Sequence, residues 1–208
     1  MRCRLVGSEM CIRDRNYSSS RVHETWHRRL LNATEIALYE DDVSIGAIGR
    51  GFYFICQVAL PAHSSSSNIQ FFGLYGSGSV IGNVNPSGLT NIIGVALDDT
   101  DSNYQFIYND DTGTATKVDL GSNYDRTNVG ANAASFQIEL FCDVGSSELQ
   151  YRIQDLNNVS SDTGWNTISS NLPNSTIGLY PQFYANIGTG ASANNVMHLG
   201  LLEITRYQ

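Results

Sequence analysis

From residue 34 to the C-terminus, no ten-residue stretch spaces its apolar side chains as a helix face would. Short runs rich in Val, Ile, Phe and Tyr are instead separated by clusters of Gly, Asn, Ser, Asp and Pro, the punctuation of strands and turns. The runs lie at 34–39, 43–48, 51–60, 68–75, 91–97, 103–108, 115–120, 135–142, 148–155, 165–169, 177–186 and 196–207. A dozen strands without helices predict an all-β sandwich or barrel. Composition agrees. Charged residues are only 15%, and 19 Gly, 19 Asn, 23 Ser and 13 Thr take their place, which excludes a coiled coil or helical bundle. Eleven Tyr and eight Phe, with many Ile and Val, supply a core and exclude disorder. The net charge of -8 argues against a nucleic-acid groove, and no apolar run reaches the roughly 18 residues of a membrane span.

Alternation tells which side of each strand faces inward. In 51–60, Phe52, Phe54, Cys56 and Val58 share one face, with Tyr53, Ile55 and Gln57 on the other. In 135–142, Phe136, Ile138, Leu140 and Cys142 oppose Gln137, Glu139 and Phe141. In 148–155, Leu149, Tyr151 and Ile153 oppose Gln150, Arg152 and Gln154. The last two runs, joined by DVGSS, predict a hairpin that pairs Glu139 with Arg152.

The first 15 residues, MRCRLVGSEMCIRDR, have a different character, with four of the chain's 12 Lys+Arg and two of its four Cys. They lack the apolar stretch of a signal peptide. The string at 4–15 resembles one reading frame of a transposon-type sequencing adapter. Residues 1–15 are therefore expected to be a non-native segment, and 16–33 an irregular, truncated lead, with upstream domains lost. Cys56 and Cys142, both in apolar runs, are expected to be free buried thiols.

Seven of the eight Gln (57, 70, 105, 137, 150, 154 and 182) fall within predicted strands, often opposite apolar positions. With Tyr53, Tyr180, Tyr184, Glu139 and Arg152 they would form a neutral polar sheet face. Amides pair with sugar hydroxyls and aromatic rings stack on sugar C–H faces, so such a face suits glycans. The competing reading is a solvated face or a subunit contact. The ligand-binding candidates are Gln137, Glu139, Gln150, Arg152, Gln182 and Tyr184. Tyr104, Tyr108 and Trp165 are rim alternatives, although Tyr104, Phe106 and Tyr108 share a face that could be core.

Asp99, Asp101 and Asn103 match the first half of a calcium loop, but Tyr104 stands where the turn glycine belongs and no glutamate closes the loop. No metal and no cofactor are expected. GxSxG is absent, and the four His lie in unrelated contexts. No catalytic residue is assigned. Glu139 and Glu203 are the strand-embedded glutamates late in the chain.

The stretch 94–121 has an Ile-Gly-Val start, an Asp-rich turn, a strand ending in Asn109-Asp110, and Gly113 to Gly121 read as GTATKVDLG. Together with NLPNSTIGLYPQFYANIG at 171–188, it resembles domains of tail-fibre and virion structural proteins of tailed phages. Such domains are similar to the concanavalin-A-like lectin/glucanase sandwich. The resemblance covers roughly 91–204 and implies a single antiparallel jelly-roll β-sandwich over 34–208. It also implies a virion surface module, a tail fibre, spike or capsid appendage, located on the extracellular particle. Its partners would be a host-surface glycan and other virion subunits, including copies of itself. A non-enzyme is expected. A glycan-cleaving enzyme and a purely structural assembly domain are the alternatives.

Overall fold

The computed structural model describes residues 27–32, 35–39, 44, 46–60, 68–77, 79–126, 134–157, 161–186 and 197–206. Among the described residues there are twelve strands: β1 (His27–Asn32), β2 (Glu35–Tyr39), β3 (Arg50–Leu60), β4 (Gln70–Tyr75), β5 (Ile92–Leu97), β6 (Gln105–Asn109), β7 (Thr116–Asp119), β8 (Ala134–Val144), β9 (Leu149–Asp155), β10 (Asn166–Ile168), β11 (Tyr180–Asn186) and β12 (His198–Arg206). Two short 3-10 turns, Pro86–Gly88 and Ser122–Tyr124, lie in the connections. The strands form a seven-stranded sheet, β1-β2-β11-β4-β5-β6-β7, and a five-stranded sheet, β10-β9-β8-β3-β12. Every described strand pairing is antiparallel.

The inner faces are those that alternation predicts. Phe52, Phe54, Cys56 and Val58, Phe136, Ile138 and Leu140, and Leu149, Tyr151 and Ile153 face Phe72, Leu74, Ile93, Val95, Phe106 and Phe183 of the other sheet. The Phe106 and Tyr151 rings stack across this core at 3.7 Å between centroids and 11° between planes. After Gln70, β4 reads as an apolar run, FFGLY, and so does β5, IIGVAL, because both their faces are covered. Their second face carries a smaller cluster of Phe71, Ile92, Ala96, Ile107 and Tyr184, with Ile69, Ile81 and Leu89 packed against it.

Two expected elements differ. Residues 27–32, expected to be irregular, are strand β1, paired with β2. Backbone pairing along the sheet edge supplies there what the polar His-Arg-Arg sequence does not announce. Conversely, 46–49 form one bridge, Gly46 to Leu179, and a turn, where a strand over 43–48 was expected. Gly49 adopts φ of +82°, and the left-handed turn it allows ends any extended run before β3 begins at Arg50. The segment 1–26 lies outside the described residues.

Cys56 and Cys142 are free and buried. Cys142 pairs with Phe52, four residues along β3 from Cys56. That offset is about 13 Å, well beyond the ~7 Å limit for a disulfide. Burial pushes both thiols up from their ordinary pKa, so neither is a thiolate at neutral pH. Iodoacetamide should therefore label neither under native conditions and both in urea. Labelling of either thiol in the folded chain would contradict this packing.

Candidate functional site

The outer face of the five-stranded sheet is built from the positions that alternate with the core. Three rows cross it. One runs Thr205, Tyr53, Phe141, Gln150, Thr167. The next runs Glu203, Ile55, Glu139, Arg152. The third runs Leu201, Gln57, Gln137, Gln154. A β-bulge between Leu199 and Leu201 sets the phase of β12, placing Leu201 and Glu203 outward.

Within these rows the polar side chains are joined. Gln57 Nε2 donates to Gln137 Oε1 at 2.8 Å, and Gln137 Nε2 donates to Glu139 Oε1 at 2.9 Å. The Tyr53 hydroxyl donates to Glu139 Oε2 at 2.6 Å. Glu139 is 6% exposed, so its carboxylate depends on these donors in place of water. The predicted Glu139–Arg152 register is correct, but the guanidinium lies 3.7 Å from Glu139 and bonds more closely elsewhere. Arg152 Nε and Nη2 reach Asp162 at 3.0 and 2.5 Å. That bond holds the Asp162 carboxyl below its ordinary range and raises the guanidinium. A depressed folded-state pKa means that this pair's small contribution is present above about pH 4 and is lost as pH falls through the folded value.

Asp162 also accepts the Gly164 N–H, Thr163 Oγ1 accepts the Ile153 N–H, and Asn166 Nδ2 donates to the Thr163 and Gly164 carbonyls. Gly164 takes φ of +64°. This locked turn presents Trp165, 49% exposed, at the sheet edge. Extending the β9–β10 register by one residue sets Trp165 opposite Arg152. The face thus combines an exposed indole, four glutamine amides and fixed charges.

Five of the nine candidates, Gln137, Glu139, Gln150, Arg152 and Trp165, come together here. The other four do not. Gln182 and Tyr184 belong to β11, in the other sheet, where both are fully buried. There Gln182 Nε2 faces the Ser77 and Ser79 carbonyls, and Tyr184 packs in the second apolar cluster. Their expected union with Glu139 fails because alternation tells the side of a strand but not its sheet. Tyr104 is buried core, its ring edge-on to Phe136 at 4.6 Å and its hydroxyl donating to Gln70 Oε1. Burial pushes that phenol up. Tyr108 packs against the main core beside Phe106. Neither is a rim residue. Tyr53, Gln57, Gln154, Asp162 and Glu203 join the face. The Asp-Thr-Gly turn signal at 162–164 was the available pointer to Asp162.

The acidic turn uses its carboxylates internally. Lys117 Nζ lies 3.0 Å from Asp98 Oδ2 and 2.5 Å from Asp101 Oδ1. Burial opposes the ammonium charge, but the two carboxylates outweigh it and raise the Lys117 pKa. Asp99 accepts from Asn85, Asn103 donates to Asp119, and Arg126 donates to the Asp98 and Asp99 carbonyls. Excess EDTA should therefore leave the melting temperature unchanged, whereas Lys117→Met should cost about 1–2 kcal/mol by leaving two carboxylates together. A chelator-induced drop of several degrees would contradict this arrangement.

No family model and no curated protein matches the chain. Solved structures do. An alginate lyase from Pseudomonas aeruginosa aligns with TM-score 0.53 and 13% identity, over 83% of this chain and 74% of its own. Lectin II from Ulex europaeus aligns at 0.50 and 13%, over 86% and 85%. A lectin, UEA-II, complexed with galactose aligns at 0.51 and 11%, over 87% and 86%. The fold is the concanavalin-A-like sandwich. At these identities the likeness is one of fold. The expectation of a non-enzyme is corrected here, because alginate lyases stand beside lectins on this architecture.

Proposed function

We propose that the chain is a glycan-recognition domain whose ligand lies across the outer face of the five-stranded sheet. Lectins and alginate lyases on the same fold support a glycan-directed role in general. The observation that carries the site is the linked array Gln57–Gln137–Glu139–Tyr53, with exposed Trp165 at its edge. The array holds its side chains in place before a ligand arrives, which lowers the ordering cost of binding. The indole offers a flat surface to sugar C–H groups. On a glycan array, Trp165→Ala should lower affinity about 30-fold, the roughly 2 kcal/mol of an aromatic hot spot. Binding that survives this change with unaltered strength would remove the face from consideration.

The finer setting, a virion surface module engaging a host-surface glycan alongside other virion subunits, is supported by the resemblance of 94–121 to tail-fibre and virion domains. Tail or capsid genes beside the coding sequence would support it, and a polysaccharide-utilisation cluster would not. A second reading, cleavage, has one observation in its favour. Glu139 and Glu203 share a row with Ile55 between them. Two strand spacings set their backbones about 10 Å apart, a scale on which two carboxylates can flank a glycosidic bond. Reducing ends released by the wild type but not by Glu203→Gln would establish it.

A further inference from the structure

The charge arrangement on this face speaks to the class of glycan, given the reading that the face binds one. Among its described residues the face carries four carboxylates, Glu139, Asp143, Asp162 and Glu203, against one guanidinium, Arg152. That guanidinium is already committed. Its Nε and Nη2 hold both oxygens of Asp162, and its Nη1 leans toward Glu139. An anionic sugar would have to displace Asp162 from a bidentate pair and would then face the surplus carboxylates. The chain as a whole, at net charge -8, repels polyanions on approach as well. The amides and carboxylates suit the opposite partner. Gln137 and Gln57 offer neutral donors and acceptors, exposed Gln150 adds another amide, and fixed carboxylates accept from hydroxyl groups without requiring ligand charge. We infer that the ligand is a neutral glycan, presenting hydroxyl or acetamido groups, and that Arg152 held by Asp162 excludes uronate polymers.

Affinity electrophoresis of the full chain tests this, with neutral galactan, mannan and β-glucan and with sodium alginate embedded in the gels, at low and at moderate salt. The expected result is retardation by at least one neutral polymer, changed less than about twofold by salt and lost in Trp165→Ala. Alginate should give no retardation of the wild type. Asp162→Asn, which frees Arg152 and removes one carboxylate, should gain retardation by alginate that salt abolishes. Circular dichroism confirms that both variants fold. Trp165-dependent retardation of the wild type by alginate would overturn the neutral class while leaving the face intact. An Asp162→Asn chain still indifferent to alginate would overturn the excluding role of Arg152. Retardation by no polymer, or retardation unaffected by Trp165→Ala, would overturn the binding face itself and this inference with it.

Discussion

Gly73→Ala is expected to leave no stably folded domain. A β-carbon at Gly73 would sit 2.3 Å from the Ile93 carbonyl oxygen and 2.7 Å from the Gly94 Cα. Both obstacles are backbone of the neighbouring strand, so relief requires β4 and β5 to separate in the interior of the seven-stranded sheet. Gly94→Ala meets the mirror problem, 2.4 Å from the Phe72 carbonyl oxygen. Parting two strands buried on both faces should cost several kcal/mol, a large share of the roughly 5–15 kcal/mol that a domain possesses. Gly88→Ala is the control, since a β-carbon there meets nothing within 4 Å, and it should be neutral within about 0.5 kcal/mol. Urea titrations of the three variants compare them. A Gly73→Ala midpoint equal to that of the wild type would mean that these strands do not pair in this register.

Phe136→Ala should lower stability by about 3–5 kcal/mol, the cost of emptying a large aromatic site. Phe136, on β8 of the five-stranded sheet, lies edge-on to Tyr104 at 4.6 Å and stacks with Tyr124 at 5.8 Å. Tyr104 leads into β6 of the other sheet, so the cluster ties the two layers. Tyr124 in turn anchors the Trp165 turn, its hydroxyl donating to the Ser161 carbonyl at 2.8 Å. For a domain of this length the melting temperature should fall by roughly 10 °C, at about 2–4 °C per kcal/mol. Val84→Ala, at a 46% exposed position, should change it by no more than a degree or two. If Phe136→Ala behaved like Val84→Ala, the inner face of β8 would be misassigned.

Much of this architecture is legible in local sequence. Strict alternation in β3, β8 and β9 marks their core faces, and the short DVGSS connection fixes the β8–β9 register, so that Glu139 opposes Arg152. The runs QFFGLY and IIGVAL lack polar alternation because a second apolar cluster covers their other side. What local pattern cannot carry is strand order. β11 is inserted between β2 and β4, more than a hundred residues from either in sequence. Period-two alternation is the same whichever sheet a strand joins, and Gln182 and Tyr184 were therefore grouped with the wrong neighbours. Arg152 illustrates the same limit on a smaller scale. Its cross-strand partner is readable from the hairpin, but its stronger partner, Asp162, arrives from a separate turn. β1 was missed because an edge strand with one neighbour needs no apolar stripe of its own to be held by its ladder.

The most direct measurement is an NMR titration of the 15N-labelled chain with the neutral oligosaccharide that binds best, following side-chain N–H signals. The predicted result is movement of the Trp165 indole and of the Gln137, Gln150 and Gln154 amides, all on the outer face of the five-stranded sheet, while the Gln105 and Gln182 amides of the other sheet stay fixed. Movement of Gln105 and Gln182 with a silent Trp165 would contradict the account and place the ligand on the seven-stranded sheet.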